Sequence, residues 1–216
     1  HPKPGEVTLA HRGVLFLDEF PEFERRSLDA LRQPLEDRVV SITRVHSSVL
    51  FPADFILVAA MTPTRGGDER GDYALQMIET YKHKISGPIL DRIDLWLPVP
   101  HVDYDTLTAK RDPNDITDET KYARDLIVHA REKQKVRLRG RGPQTNAEMT
   151  ARDIEQCIEL TPGVTTLLKN ASQKLQLSPR SYHRLVKVSQ TIADLDNADR
   201  IEEKHVLEAL QYRIKV

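Results

Sequence analysis

Two adjacent acids, Asp18 and Glu19, directly follow the apolar run Gly13–Leu17. Such a run is typical of a buried parallel strand, and ligands bind at the carboxyl ends of these strands in open α/β sheets. An aspartate in this position can hold Mg²⁺, and the next glutamate can orient an attacking water, as nucleotide hydrolysis requires. The alternative is that the two acids only end a strand and meet solvent. Because the pattern is short, it does not decide between the two interpretations.

A threonine follows the second apolar run of the chain. Residues 55–60, Phe-Ile-Leu-Val-Ala-Ala, predict another buried strand, and Thr62 comes two residues later. If the strands are near neighbours, the Thr62 hydroxyl emerges beside Asp18 and Glu19 and can bind a phosphate or the water. Taken alone, a threonine between a strand and a turn is the simpler interpretation.

Arg92 follows a short segment of turn and apolar residues, Ser86–Leu90. An arginine at a subunit edge can reach a phosphate held by the neighbouring subunit, where it stabilises the charge of the transition state as an arginine finger. The alternative is an ion pair with Asp91 or Asp94 inside the chain.

Arg180 lies where a helix is predicted to begin. Ser178 is a favourable N-cap and Pro179 suits the first helical position, which places Arg180 in the first turn. A cation there opposes the helix dipole at a cost of about 0.3–1 kcal/mol, and a bound anion would reverse that sign. The residue is therefore either a phosphate contact or a tolerated surface arginine.

Two groups of basic residues are candidates for contact with nucleic acid. Arg44 and His46 lie at the tip of a predicted β-hairpin, because residues 39–51 alternate in two short runs about positions 45 and 46. The second group alternates through a segment that is otherwise typical of a solvated linker: Lys133, Lys135, Arg137, Arg139 and Arg141.

The order of elements predicts two parts. Residues 1–105 are α/β, because the two apolar runs, a helix at 27–36 and a third strand at 93–99 make part of a doubly wound sheet. Residues 106–118 are a linker rich in turn-forming residues, and residues 119–216 form a small all-helical domain. Its helix-start signals are possible capping boxes at Thr150–Asp153 and Asp199–Glu202, and N-caps at Thr161 and Ser178.

Composition excludes several classes of protein. No run approaches the roughly 18 apolar residues of a membrane helix, and the first five residues contain no apolar signal region, so we expect a cytoplasmic protein without a membrane partner. The single cysteine, Cys157, excludes an internal disulfide framework. The 8 histidines are scattered without ligand spacing, so no zinc is expected. A net charge of −1 leaves room only for a local basic patch.

Taken in order, these features resemble the magnesium-chelatase-like AAA+ ATPases, and their competence-type branch in particular. The resemblance covers nearly the whole chain, and several motifs at consistent spacing are more specific than any one alone. The motifs are PGEVTLAHRGVLFLDE at 4–19, LRQPLE at 31–36, FPADFILVAAM at 51–61, ISGPILDRID at 85–94, LSPRSYHR at 177–184, TIAD at 191–194 and ALQYR at 209–213.

The resemblance implies a role for each candidate residue. Asp18 and Glu19 match the Walker B pair, Thr62 falls at sensor 1, Arg92 at the arginine finger and Arg180 at sensor 2. On this basis Glu19, Thr62 and Arg92 are catalytic. Asp18 and Arg180 bind ATP, and Asp18 holds its Mg²⁺. Sensor 1 is normally asparagine in the family, so the threonine is a departure that offers one hydroxyl in place of an amide.

The resemblance also implies partners and a fold. It implies ATP and Mg²⁺ as cofactors, a partial AAA+ sheet followed by an all-α lid, a homo-hexamer, and a hairpin at residues 38–53 that faces the central channel. The competence-type branch is implicated in DNA remodelling or branch migration, which makes DNA the expected partner.

Two further departures limit the expected activity. The segment after Thr62 is usually cysteine-rich in the family and here contains no cysteine. The chain also contains no Gly-x-x-x-x-Gly-Lys-Ser/Thr phosphate-binding loop, so we expect a C-terminal fragment that is inactive alone. The alternatives are the motor subunit of a magnesium chelatase and a catalytically silent interaction module.

Overall fold

The structure is a computed structural model that describes residues 2–44, 47–62, 84–99 and 119–213. The protein is a mixed α/β chain that divides into two compact units, residues 1–93 and residues 94–216. The predicted linker at residues 106–118 lies outside the described residues, and the predicted domain boundaries stay predictions. None of the described helices is long and apolar enough to cross a membrane.

The first unit combines short helices with two small sheets. Its helices are α1 (Glu6–Leu9), a 3₁₀ turn (Phe20–Glu22), α2 (Arg25–Ala30), α3 (Arg32–Asp37) and α4 (Gly87–Leu90), and its strands are β1 (Val14–Leu17), β2 (Val39–Arg44), β3 (Ser47–Pro52) and β4 (Ile56–Ala59).

Strands β1 and β4 are parallel neighbours, with Val14 opposite Ile56 and Leu17 opposite Ala59. Successive side chains of a strand point to opposite faces, so Leu15 and Leu17 pack against the core while Val14 and Phe16 are exposed. The predicted strands and their adjacency are therefore present. The expectation that both faces are covered does not hold among the described residues. The core of this unit is Phe20, Leu28, Leu31, Ile85 and Ile89.

The single helix expected at residues 27–36 is divided into α2 and α3, which meet at Leu31. Pro34 explains the division, because a proline has no N–H to donate and its ring clashes with the carbonyl group four residues earlier. Both halves still turn apolar side chains inward, and Leu28 and Leu31 are buried.

The predicted hairpin is present. Strands β2 and β3 pair antiparallel from Val39 opposite Pro52 to Arg44 opposite Ser47, and the two residues between them lie outside the described residues. The third predicted strand is not: residues 93–99 form no regular strand, and within the described part of the chain only β1 and β4 make a parallel ladder. A strand needs a neighbouring strand to accept and donate its backbone hydrogen bonds. The Trp96 N–H instead donates to the Tyr212 carbonyl at 2.9 Å.

The second unit has helices as its only regular elements among residues 94–99 and 119–213. They are α5 (Glu119–Arg137), a 3₁₀ turn (Asn146–Glu148), α6 (Ala151–Cys157), α7 (Pro162–Lys174), α8 (Pro179–Leu195) and α9 (Glu203–Gln211). The buried core is Leu138, Met149, Ile154, Ile158, Val164, Leu168, Leu185, Val186, Ala193, Ile201, Val206 and Ala209.

Three of the four predicted helix starts are confirmed. Thr150 forms a capping box with Asp153, and the hydroxyls of Thr161 and Ser178 accept backbone N–H groups of α7 and α8. The fourth is wrong, because α9 starts later and its N-cap is Glu202, which pairs with His205. The His205 Nδ1 accepts the Glu202 N–H at 2.9 Å and so does the work that an acidic side chain does in the usual box.

The basic run at residues 133–141 is not a solvated linker. Helix α5 continues to Arg137, whose guanidinium binds the buried carboxylate of Asp194 and the side chain of Asn146. Lys133 donates to the Ala198 carbonyl at 3.0 Å. Lys135 pairs with Glu132 at 3.1 Å, and Arg141 donates to the Gln156 Oε1 at 2.6 Å. Four of the five cations thus have partners inside the unit, which leaves a weaker basic surface than the sequence suggested.

Candidate functional site

Asp18 and Glu19 stand at the carboxyl end of β1, and both are exposed. The Asp18 Oδ1 accepts the Glu19 N–H at 2.9 Å, and Glu19 adopts the left-handed conformation with φ 49°. Strand β1 ends there because Glu19 turns the chain into the 3₁₀ turn that buries Phe20. A non-glycine residue in this conformation is uncommon and persists only where its surroundings hold it.

The parallel pairing brings the end of β4 to the same edge as the acids. The Ala60 N–H donates to the Leu17 carbonyl, the Phe20 N–H donates to the Ala60 carbonyl, and each donor lies 2.9 Å from its acceptor. Thr62, two residues past Ala60, is exposed. The edge therefore carries two carboxylates and one hydroxyl, which are oxygen ligands of the kind that Mg²⁺ and its waters bind.

Arg92 follows α4 and is bound within its own unit. Its Nη1 donates to the Pro88 carbonyl at 2.6 Å, and its Nη2 forms an ion pair with Glu36 of α3. The intrachain alternative named Asp91 or Asp94, whereas the acid found here is Glu36, and Asp94 binds Arg184 at 2.8 Å. The role of Arg92 as an arginine finger stays a prediction.

Arg180 lies in the first turn of α8, as predicted, and is exposed. The turn is fixed by the Ser178 cap and by Arg213, whose Nη2 donates to the buried Ser181 hydroxyl at 3.1 Å. Arg180 belongs to the second unit and Asp18 to the first. Its phosphate contact stays a prediction.

Of the two residues proposed to contact DNA, Arg44 is the last residue of β2, next to the hairpin turn. His46 lies outside the described residues. The pairing of Arg44 with Ser47 leaves positions 45 and 46 between the strands, where the tip was predicted, and contact with DNA stays a prediction.

Residues that the sequence reasoning did not single out take part in this region. Glu36 binds Arg92, and Asp54 binds both Arg12 and Arg38. The two residues of each pair are far apart in sequence, so local spacing could not predict these pairs. The only signal in the sequence was that Glu36, Asp54, Arg12 and Arg38 lie in or beside the family-like segments at residues 4–19, 31–36 and 51–61.

Within residues 2–44, 47–62, 84–99 and 119–213, no three His, Cys, Asp or Glu side chains form a group able to hold a metal ion. Asp18 and Glu19 alone fit a Mg²⁺ that is held mainly by phosphates and water, because Mg²⁺ needs only one or two carboxylates in such sites. The expectation of no zinc stays a prediction.

The chain belongs to the magnesium-chelatase-like AAA+ family. The family described as magnesium chelatase, subunit ChlI, matches residues 1–107, and the C-terminal region of the same subunit matches residues 117–213. The recognition made from the motifs is thereby confirmed.

Named relatives agree with this assignment. The chain is 43% identical over 218 residues to the competence protein ComM of Haemophilus influenzae, with all of this chain and 42% of ComM covered. It is 39% identical over 215 residues to the uncharacterized protein YifB of Escherichia coli, covering 98% of this chain and 41% of YifB. A more distant match, 24% identical over 223 residues, is the maternal DNA replication licensing factor mcm6 of Xenopus tropicalis, covering 96% of this chain and 25% of mcm6. The chain thus spans about two fifths of the length of these two relatives.

Proposed function

We propose that this chain is the C-terminal part of a hexameric AAA+ ATPase that couples ATP hydrolysis to DNA remodelling or branch migration. The observation that carries the proposal is the placement of Asp18, Glu19 and Thr62 at one edge of a parallel strand pair. Two acids and a hydroxyl at the carboxyl ends of such strands suit a magnesium nucleotide and its attacking water. The name of the competence relative supports a setting in natural transformation.

Each side chain has a distinct task in this proposal. Bound Mg-ATP supplies a phosphoryl group whose transfer to water needs charge stabilisation and an oriented nucleophile. Asp18 holds the magnesium shell, Glu19 orients the water and accepts its proton, and the Thr62 hydroxyl fixes the water or a phosphate oxygen. Arg180 binds phosphate at the start of α8, and Arg92 stabilises charge at the site of a neighbouring subunit.

The organisation of the parent follows from the same family relationship. Residues 1–105 are the second half of the α/β core, residues 106–118 a linker, and residues 119–216 a helical lid. The hairpin of residues 39–52 faces a central channel, where Arg44 and His46 contact DNA phosphates. The relationship to a DNA replication licensing factor supports DNA as the partner. We place the protein in the cytoplasm.

A second candidate is the motor subunit of a magnesium chelatase, which the description of the matching family favours. The identity of 43% to a competence protein favours the DNA function over it. A catalytically silent interaction module is the third candidate. It gives no reason for two exposed acids and a strained Glu19 at the edge of the sheet.

The test is ATP hydrolysis by the full-length protein with and without single-stranded and branched DNA. Glu19→Gln keeps the size of the side chain but removes the base, so we expect a loss of at least about 100-fold in turnover with nucleotide binding retained. Glu22→Gln is the matched control, because Glu22 is an exposed acid three residues away that pairs with Lys84 at 2.7 Å. It should hydrolyse ATP as the wild type does.

The three candidates give different outcomes. DNA-stimulated hydrolysis and branch migration that both need Glu19 support the proposal. If the rate of hydrolysis is independent of DNA and hydrolysis drives Mg²⁺ insertion into a porphyrin, the result supports the chelatase motor. Absence of hydrolysis in the wild type under every condition supports the silent module and overturns the proposal.

A further inference from the structure

Asp54 lies at the root of the hairpin, between the end of β3 and the start of β4. Its Oδ2 lies 3.0 Å from Nη1 of Arg12, and its Oδ1 lies 3.6 Å from Nε of Arg38. Its backbone takes part as well: the Asp54 N–H donates to Nδ1 of His11 at 3.1 Å, and its carbonyl accepts the Arg12 N–H at 2.6 Å. One residue therefore uses both its carboxylate and its peptide groups to bind two distant segments.

Asp54 and these two segments each lie just before the first residue of a strand. Arg12 comes two residues before β1, Arg38 comes directly before β2, and Asp54 comes two residues before β4. The hairpin closes at the same place, because the Ala53 N–H donates to the Arg38 carbonyl at 2.8 Å and Ala53 is only 1% exposed. The hairpin root and the amino ends of β1 and β4 are thus joined through Asp54.

Both arginines that face Asp54 adopt a left-handed backbone conformation, with φ 61° at Arg12 and φ 58° at Arg38. This conformation is unfavourable for residues with a side chain and persists where neighbouring interactions hold it. The Arg38 N–H also donates to the Pro34 carbonyl at 3.0 Å, so this residue ends α3 and starts the hairpin at once. The Asp54 carboxylate is the acid shared by the two turns.

We propose that Asp54 is a positioning residue that couples the hairpin of residues 39–52 to strands β1 and β4. The strands carry Asp18, Glu19 and Thr62 at their far ends, so a shift of the edge on nucleotide binding or hydrolysis moves the hairpin root with it. The ion pairs with Arg12 and Arg38 and the backbone hydrogen bonds of Asp54 to His11 and Arg12 form this connection. The consequences for nucleotide and for DNA rest on the function proposed above, whereas the mechanical coupling does not.

Amide hydrogen exchange of the full-length protein tests the coupling directly. In Asp54→Asn, we expect the amides of the β2–β3 ladder to exchange at least about tenfold faster than in the wild type, relative to the change at β1 and β4. Arg38→Gln is the second variant, since it removes the ion pair on the hairpin side and leaves Asp54 bound to Arg12. It should accelerate the same amides.

Asp29→Asn is the matched control. Asp29 also carries two arginine partners, Arg32 at 2.8 Å and Arg25 at 4.0 Å, in the same unit but on α2. It should leave the difference between the hairpin and the two strands unchanged. Equal acceleration of hairpin, β1 and β4 in Asp54→Asn, or no acceleration at all, overturns the coupling and leaves Asp54 a general stabilising residue.

The functional consequence is measured as the ratio of DNA-stimulated to basal ATP hydrolysis. Asp54→Asn should bring this ratio close to one, while basal turnover and the KM for ATP stay within about twofold of the wild type. If Asp54→Asn keeps the ratio of DNA-stimulated to basal hydrolysis that the wild type has, the inference is overturned. Absence of stimulation in the wild type itself would instead count against the proposed function, and hydrogen exchange would still decide the coupling.

Discussion

At the scale of single residues, Arg92 shows how one side chain serves two interpretations. It binds Glu36 and the Pro88 carbonyl inside its own chain. A guanidinium carries five N–H donors, so these contacts do not by themselves prevent it from binding a phosphate of the next subunit. What separates the interpretations is whether loss of Arg92 acts on catalysis or on stability.

We expect Arg92→Ala in the full-length protein to lower the turnover of ATP by about 10³-fold or more, with nucleotide affinity largely retained. The reason is that an arginine finger contributes to the transition state held by a neighbour and little to ground-state binding. Hydrolysis and binding of a labelled nucleotide are measured side by side. Mixing Arg92→Ala with Glu19→Gln should restore part of the activity, because some interfaces then combine an intact Arg92 with an intact Glu19.

The control is Glu36→Gln, which removes the ion pair but leaves Arg92 in place. If the pair is only structural, both variants should lower stability by about 1 kcal/mol or less and spare most of the turnover, since only a partly exposed ion pair is lost. Loss of activity without rescue, in hexamers that demonstrably exchange subunits, would contradict the role in trans.

The sequence predicted types of residue at this scale better than their partners. Two acids after an apolar run, and a threonine after the next, are local patterns that the parallel pairing brings to one edge. The partner of Arg92 is different in kind, because Glu36 lies 56 positions away and nearer acids were available at 91 and 94. Local spacing carries no information about which distant carboxylate the fold presents.

At the scale of elements, a buried polar network joins three pieces of the helical unit. Asp194 of α8 is only 1% exposed and accepts from Arg137 of α5, from the Asn146 amide at 2.8 Å and from the Gln190 amide at 3.1 Å. A buried carboxylate is stable only when such donors replace water. The network therefore fixes how α5 and the turn at Asn146 lie against α8.

We expect Asp194→Ala to destabilise this unit by about 3–5 kcal/mol, because it leaves the guanidinium of Arg137 largely buried without its carboxylate. Urea unfolding gives the change. The double change Asp194→Leu with Arg137→Met should recover only part of the loss, since it removes the unpaired guanidinium but leaves the buried amides of Asn146 and Gln190 without their acceptor. Glu132→Ala, which removes an exposed partner of Lys135, should change stability little. A small effect of Asp194→Ala would show that water replaces the carboxylate.

The hairpin supplies a second prediction at this scale. If its tip contacts DNA phosphates, replacing Arg44 and His46 by alanine in the full-length protein should weaken binding and flatten its dependence on salt, because fewer counterions are released. Binding is measured at several salt concentrations. An unchanged slope would assign the hairpin a structural role. Lys84→Ala, a cation of the same unit paired with Glu22, is the control and should leave the slope as it is.

Elements were predictable where the signal is local and failed where it is not. The caps at Thr150, Thr161 and Ser178 depend on residues within three positions, and the structure contains all three. The break at Leu31 follows from Pro34, which is also a local cause. The prediction of one continuous helix relied on the leucine spacing and did not take this proline into account. The third strand failed because a strand needs a neighbour, which periodicity does not supply.

At the scale of the whole molecule, the first unit leaves an apolar face uncovered. Val14, Phe16, Ile56 and Val58 share one face of the β1–β4 pair, and each is at least 43% exposed. The relatives are more than twice as long as this chain, which covers 41–42% of them. An exposed apolar face of this kind is typical of a surface that contacts other protein.

The chain by itself should bind Mg-ATP far more weakly than the full-length protein and should not hydrolyse it. The acids and the sensor residues supplement a phosphate-binding loop, and the 216 residues contain no Gly-x-x-x-x-Gly-Lys-Ser/Thr sequence to form one. Calorimetric titration of both proteins with Mg-ATP gives the comparison. Micromolar affinity of the isolated chain would contradict the prediction and would require another phosphate cradle.

The two units should differ in stability when the chain is studied alone. Among the described residues, the buried core of the first unit has five apolar side chains and that of the second has twelve, and the first also exposes the apolar face of its sheet. Since burial of apolar area is the main stabilising contribution, the first unit should unfold at lower urea. The sole tryptophan, Trp96, belongs to the second unit and reports on it selectively.

Circular dichroism should therefore begin to change at lower urea than the fluorescence of Trp96, because the ellipticity includes both units. The variant Val186→Ala opens a cavity in the core of the second unit. It should lower the urea midpoint of the Trp96 fluorescence more than Ile89→Ala does. Ile89→Ala acts on the core of the first unit and should shift only the early part of the ellipticity change. Coincident transitions that move together in both variants would mean that the two units unfold as one cooperative body.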